Sequence, residues 1–117
     1  ERIINSIDHT FLNVIEFRDI SWWQKEIFDL LQQHNIVFSG VSFPSNLPED
    51  FIINHPEILY YRLHGKPVLY KSEYSEPFLD GLAEKIKNSH QTAFIFFNNT
   101  WGTSAITNSL YLKSILE

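Results

Sequence analysis

The sequence predicts a parallel α/β fold of about four β/α units, roughly half of a (β/α) barrel, with an open four-stranded α/β sandwich as the competing architecture. Three observations lead there. Helical and alternating apolar periods follow one another in the order α-β-α-β-loop-β-α-β-α. Strands joined by helices imply right-handed crossovers and therefore a parallel sheet. Finally, Tyr60-Tyr61-Arg62-Leu63-His64-Gly65 alternates strictly, with Tyr60, Arg62 and His64 on one face and Leu59, Tyr61 and Leu63 on the other. Parallel sheets are covered on both faces, so a face carrying Arg and His looks into a site.

The elements follow in order. Residues 1–12 predict a helix through Ile3, Ile4, Ile7 and Phe11, stopped at Asn13. Val14–Arg18 is a short strand with Ile15 and Phe17 on its apolar face and Val14, Glu16 and Arg18 on the other. Ser21-Trp22-Trp23-Gln24 reads as a capping box that opens a helix running to about His34, with Trp23, Ile27, Leu30 and Leu31 buried. Ile36–Phe43 is the next strand. Pro44, Pro48 and Pro56 punctuate residues 44–57 and leave room for at most one short helical turn. Ile58–His64 is the central strand. Lys66–Glu73 is a polar loop with a short extended stretch at Val68–Tyr70. Ser75 caps a helix from Glu76 to Asn88; Pro77 is tolerated in its first turn, and Phe78, Leu82 and Ile86 form its stripe. Thr92–Phe97 is an aromatic strand expected to be buried on both faces. Asn98–Gly102 is a loop, and residues 103–116 form a closing helix around Ala105, Ile106, Leu110, Leu112 and Leu116.

Composition narrows the class. The 117 residues make one domain, 1–117, with 44% hydrophobic and 20% charged residues. A net charge of −5 disfavours nucleic acid and anionic membrane as partners. The absence of cysteine excludes disulfides and thiolate chemistry. No apolar run approaches the ~20 residues of a membrane span, and no leader is visible, so the cytoplasm is the default. The chain has no methionine, even at position 1, and opens mid-helix; it reads as a segment of a longer protein.

Functional groups of parallel sheets gather at the C-terminal strand ends. Here those ends carry Glu16-Phe17-Arg18-Asp19, Ser42, Arg62-Leu63-His64-Gly65-Lys66 and Asn98-Asn99-Thr100. Glu16 and Arg18 share a strand face, either as an ion pair at the top of a barrel or as a carboxylate held ionised by Arg18 or Arg62 for general-base or hydroxyl-accepting work. Arg62 offers a planar donor fork for carboxylate or phosphate, or an internal bridge to Glu16. His64 is a candidate acid/base, and Gly65 behind it lets the backbone turn tightly. His9, His34, His55 and His90 look structural. No second His or carboxylate stands at ligand spacing, so no metal is expected, and nothing in the pattern implies a cofactor. Asn98, Asn99, Thr100, Thr103 and Ser104 surround Gly102 at a helix N-terminus, a natural anion site; capping by Thr103 or Asn99 explains one of them, not all. Trp101 either stacks on a ligand or wedges into the core, and the core is the expectation. Tyr70, Lys71 and Tyr74 are either a lid over Arg62 and His64 or a half-buried surface loop.

Three functions are compatible with these residues. The first is binding of a small anionic, phosphate- or carboxylate-bearing, sugar-like ligand by Arg62, Asn98, Asn99 and the last helix. Glu16 and His64 then supply acid/base chemistry suited to hydrolysis or isomerisation. The second is single-stranded nucleic-acid binding through Arg18, Arg62, Lys66 and Lys71 with Trp22, Tyr70 and Tyr74, which the net charge opposes. The third is a non-catalytic interaction module.

The motifs Glu16-Phe17-Arg18 with Ser21-Trp22, Tyr61-Arg62-Leu63-His64-Gly65, Tyr70, Tyr74-Ser75 and Phe97-Asn98-Asn99 with Gly102, Ala105 and Asn108 are similar, in order and spacing, to the YecE-like family, domain of unknown function seventy-two. The resemblance implies a TIM-type barrel of about twice this length, of which the chain matches the C-terminal half, and it assigns no activity. Carried over by motif, it implies a site of Glu16, Arg18, Trp22, Arg62, His64, Tyr70, Tyr74, Asn98 and Asn99. A half-barrel has two unpaired strand edges, so the fragment is expected either to self-associate through them into a dimer resembling a whole barrel or to close on itself.

Overall fold

The computed structural model describes residues 1–48 and 54–117. Among them the strands are β1 (Asn13–Ile15), β2 (Ile36–Phe38), β3 (Gly40–Ser42), β4 (Ile58–Leu63) and β5 (Thr92–Phe97). The helices are α1 (Arg2–Ser6), α2 (Lys25–Gln33), α3 (Glu76–Ser89) and α4 (Ser104–Leu116). All pairings are parallel: β1 with β2, and β3-β4-β5 in that order. The helical turn allowed between Pro44 and Pro56 lies outside the described residues.

β2 and β3 are one stretch of chain that changes partner at Ser39. Asn13, Val14 and Ile15 face Ile36, Val37 and Phe38, and Ser39 donates its amide to the Ile15 carbonyl at 2.9 Å. From Gly40 onward the other edge is used, with Val41 opposite Arg62 and Ser42 opposite Leu63. This stagger is the shear of a curling barrel wall, so the two ladders form one four-strand arc. Where β2 has no described strand on its second edge, the side chain of Asn54 takes the place of one. Its Oδ1 accepts from the Phe38 amide at 2.8 Å, and its Nδ2 donates to the Ile36 carbonyl at 2.9 Å.

The core lies between this arc and the helices. Leu59, Tyr61 and Leu63 of β4 pack on Leu79, Leu82, Ala83 and Ile86 of α3 and on Leu112 of α4. Ile36, Phe38 and Phe17 pack on Ile4 and Leu31. Gly40 is needed beside Tyr61, since a Cβ there would meet the ring at 2.5 Å. Tyr111 donates to Asp80 at 2.6 Å and ties α4 to α3; that bond pushes the phenol up to about 12.

Several expectations are corrected. The first helix stops at Ser6, because Asp8 Oδ1 accepts from both the amide and the hydroxyl of Thr10 and turns the chain early. Ser21 does not cap α2. Asp19 accepts from the Ser21 amide to close a 3₁₀ turn at Ile20–Trp22, and Gln24 stands at the α2 N-cap. Ser75 does cap α3, accepting from the Phe78 amide at 3.3 Å. Thr92–Phe97 is a strand as predicted but is not buried on both faces. Phe94 and Phe96 are each 43% exposed, because β5 ends the sheet and no described element covers its inner face. On α4, Leu112 and Asn108 point inward while Ile106 and Leu110 are exposed, since the helix leans on α3 rather than over β5.

Candidate functional site

The inner face of the arc carries one polar cluster at its C-terminal end. Period-two alternation places Arg62 and His64 on the face opposite the core residues of β4, and Glu16 follows β1 on the same side. Glu16 is at the centre. Its Oε1 lies 3.0 Å from His64 Nε2 and 3.7 Å from Arg62 Nη1, and its Oε2 accepts from Arg18 Nε at 2.9 Å. Burial of Glu16 pushes its carboxyl up. The hydrogen bonds from His64 and Arg18, with the charges of His64 and Arg62, outweigh burial and hold it down at about 2. The bond to Glu16 raises Arg18, with burial opposing and Tyr70 adding a smaller contribution. Arg18 also lies over the Phe43 ring, 5.0 Å from its centroid.

His64 is 1% exposed and is closed in by rings. Phe43 meets it edge-on at 5.6 Å and Tyr70 at 6.3 Å. Its Nδ1 has no hydrogen-bond partner among the described residues. The chain then turns sharply at Gly65 (φ 100°), and the Tyr70 amide returns to the His64 carbonyl at 2.6 Å. Val68–Tyr70 is therefore a turn, not the extended stretch expected: the amides of Lys71 and Ser72 both close on the Val68 carbonyl.

Arg62 Nε donates to Asn98 Oδ1 at 3.3 Å, which brings the end of β5 into the cluster. Asn99 and Tyr74 lie behind it. Asn99 is fully buried and donates to the Ser72 carbonyl and to Asn108 Oδ1. Asn108 holds the Tyr74 backbone by a reciprocal pair of bonds at 2.9 and 3.0 Å. The Tyr74 hydroxyl accepts from the Gly65 amide at 2.9 Å and donates to Ser42 Oγ at 2.8 Å. Trp22 stacks on Phe17 at 4.7 Å and is 41% exposed, with no contact to the Glu16 cluster among those described. Thr103 stands at the α4 N-cap without a side-chain bond. Trp101 is 66% exposed, not a core wedge, because Lys71 covers only one side of its ring at 5.3 Å.

The structure thus brings together Glu16, Arg18, Arg62, His64, Tyr70 and Asn98, sets Tyr74 and Asn99 in the layer behind, and leaves Trp22 outside the cluster. Phe43, which lines both Arg18 and His64, is an addition; its position two residues beyond Val41 on an alternating strand was the signal for it. No helix among the described residues is long and apolar enough to cross a membrane. Nor does any group of three described His, Cys, Asp or Glu residues suit a metal. Glu16 and His64 are the nearest approach to a ligand pair, and the two guanidinium groups on Glu16 oppose a cation there.

Residues 1–117 match the family described as protein of unknown function DUF72, the family that the strand-end motifs resemble. Among solved structures the chain is similar to a DUF72 family protein from Thermotoga maritima, 27% identical with a TM-score of 0.84. The match covers 98% of this chain and 49% of that one. A DUF72 family protein from Enterococcus faecalis, 23% identical, matches with a TM-score of 0.75 over 88% of this chain and 47% of that one; the likeness is one of fold. The chain spans about half the length of the solved relatives it matches. Comparison with curated proteins returns no match.

Proposed function

The chain belongs to the DUF72 family of proteins of unknown function, and from that premise we propose that its strand-end cluster binds a small anion bearing phosphate or carboxylate. The observation that carries this reading is the charge balance around Glu16. One carboxylate is shared by Arg18, Arg62 and His64, so the cluster carries a surplus of positive charge. The Arg62 and Arg18 side chains are 33% and 46% exposed, which leaves guanidinium donors open on the inner face. Asn98 orients Arg62, while Asn99 and Tyr74 fix the loop behind it.

A carboxyl held at about 2 is ionised at neutral pH and is a feeble base. In this reading Glu16 and His64, paired through Nε2, are the acid/base candidates for hydrolysis or isomerisation of a phosphorylated or sugar-like metabolite. Nucleic-acid binding fits less well: the net charge is −5, Lys71 lies over Trp101, and Tyr74 is buried.

The test is a titration of inorganic phosphate, then sugar phosphates, at low salt, followed through the backbone amides. Localised shifts at Gly65, Asn98 and Gly102 are expected, and Arg62→Glu abolishes them while the amide spectrum stays dispersed. Absence of any shift in the folded wild-type chain overturns the reading.

A further inference from the structure

We propose that Tyr70 gates His64: an anion that takes the Arg18 guanidinium releases the Tyr70 ring and opens the imidazole to the inner face of the arc. The inference rests on the anion reading of the cluster and adds to it how occupancy reaches the histidine.

As the chain folds, His64 is shut away. It is 1% exposed, its Nε2 lies 3.0 Å from Glu16 Oε1, and its Nδ1 has neither solvent contact nor a hydrogen-bond partner among the described residues. Folded proteins leave few buried polar atoms unpaired. An imidazole nitrogen left so, beside a carboxylate that also holds two guanidinium groups, points to a role in another state of the site. Two rings close around it, and they are held differently. Phe43, 5.6 Å away, directly follows β3, whose Ser42 carbonyl accepts from the His64 amide at 2.9 Å, so the strand ladder fixes it. Tyr70, 6.3 Å away, stands in a turn at a φ of 63°, which residues other than glycine rarely adopt. The backbone of that turn is fastened on both sides: the Tyr70 amide donates to the His64 carbonyl at 2.6 Å, and the Tyr70 carbonyl accepts from the Trp101 amide at 3.1 Å. The ring can therefore swing about χ1 while the turn stays made.

Arg18 is the link between the ligand and the ring. Its Nε is committed to Glu16 Oε2 at 2.9 Å, and its guanidinium lies 5.0 Å from the centre of the Phe43 ring. Its side chain also hydrogen-bonds that of Tyr70, which ties the movable ring to the charged cluster. Hydrogen bonds between ions are about twice as strong as neutral ones, so a phosphate or carboxylate displaces the phenol oxygen from Arg18. Arg62, 3.7 Å from the same Glu16 carboxylate, supplies a second cation for that ligand. A neutral sugar has no such advantage over the phenol and leaves the gate shut. By linkage, whatever loosens the tie between Tyr70 and Arg18 strengthens anion binding.

Carbethoxylation of His64 by diethyl pyrocarbonate, located by peptide mass, reads the gate, and the backbone amides read the anion. A closed state with a minor open population predicts that saturating inorganic phosphate, at constant ionic strength, speeds modification of His64 by about tenfold or more. The nuclear Overhauser contact between the Tyr70 and His64 rings is expected to vanish with it, while exposed His90 reacts at an unchanged rate. Glucose is expected to change neither. Tyr70→Ala is expected to react fast with or without phosphate. Tyr70→Phe keeps the ring and removes the tie to Arg18, so it is expected to bind phosphate about fivefold more tightly, the equivalent of one net hydrogen bond, and its His64 rate no longer depends on phosphate. Amide shifts at Gly65, Asn98 and Gly102 with unchanged His64 reactivity and ring contact overturn the gate and leave the anion reading standing. No amide shifts at all overturn the anion reading and the gate with it. Unchanged phosphate affinity in a Tyr70→Phe variant whose amide spectrum stays dispersed means that the ring only fills space, and overturns the proposal as well.

Discussion

Glu16 Oε1 accepts from His64 Nε2 at 3.0 Å, joining the end of the first strand to the end of the central one across 48 residues of sequence. The bond has a signature in acid. The Glu16 carboxyl is held at about 2 against an ordinary 4.5, so between those values the unfolded chain binds more protons than the folded one. Stability from this residue is complete above about 4.5 and is lost as pH falls toward 2, by up to about 3 kcal/mol. Urea unfolding across that window should show this slope, and Glu16→Gln should flatten it. Equal slopes in the two proteins would show that Glu16 is not held by its neighbours.

The central strand and the grouping of Glu16, Arg62 and His64 are legible in the sequence because period two is a local rule: once Leu59, Tyr61 and Leu63 face the helices, Arg62 has no choice of face. What was not legible depends on partners distant in sequence. The change of partner at Ser39 follows from barrel shear, which leaves no mark in Ile36–Phe43. The capping box at Ser21 failed because Asp19, two residues earlier, reaches the same amide first. Phe94 and Phe96 look like core residues in composition but are exposed, because no described element covers that face of β5, and a strand does not record its neighbours in its own residues.

Asn54 was invisible for the same reason, and it can be tested. Its side chain serves the Phe38 amide and the Ile36 carbonyl on an edge with no described strand, and it is 5% exposed. Asn54→Leu keeps the volume and strands both backbone groups, at about 1–3 kcal/mol for each buried group left unpaired. A loss of roughly 2–5 kcal/mol in denaturant unfolding is expected. The Phe38 amide should lose its hydrogen-exchange protection well before β4 does. Unchanged protection at Phe38 would mean that water or another group replaces the amide.

The Tyr74 hydroxyl holds the strand-end loop from behind, between the Gly65 amide and Ser42 Oγ. Tyr74→Phe keeps the ring contact with Phe78 and removes both bonds, leaving the Gly65 amide without its acceptor. A cost of about 1–3 kcal/mol follows. Ser42→Ala should cost less, about 1 kcal/mol, because the hydroxyl of Tyr74 still accepts from Gly65. If the two variants were equally destabilised, the bond to Ser42 rather than the one to Gly65 would be what fixes the loop.

The four glycines differ enough to rank three of them. At Gly65 the backbone is left-handed (φ 100°), and an added Cβ would lie 2.7 Å from the Val68 carbonyl oxygen and 2.9 Å from the Tyr70 amide nitrogen. Gly65→Ala therefore meets both a conformational cost of roughly 1–3 kcal/mol and a clash with backbone, and it displaces Tyr70 from His64. Gly102 is also left-handed (φ 67°) but opens on free space, so Gly102→Ala should cost only about 1 kcal/mol. Gly81 lies within α3 with nothing near the added methyl, and there alanine should stabilise by about 0.5–1 kcal/mol. Thermal unfolding of the three variants should place Gly65→Ala lowest and Gly81→Ala above wild type. The nuclear Overhauser contact between the Tyr70 and His64 rings should vanish in Gly65→Ala alone. Survival of that contact would mean that the turn at Gly65 does not position Tyr70 over the histidine, and that the ring is held there from the Arg18 side.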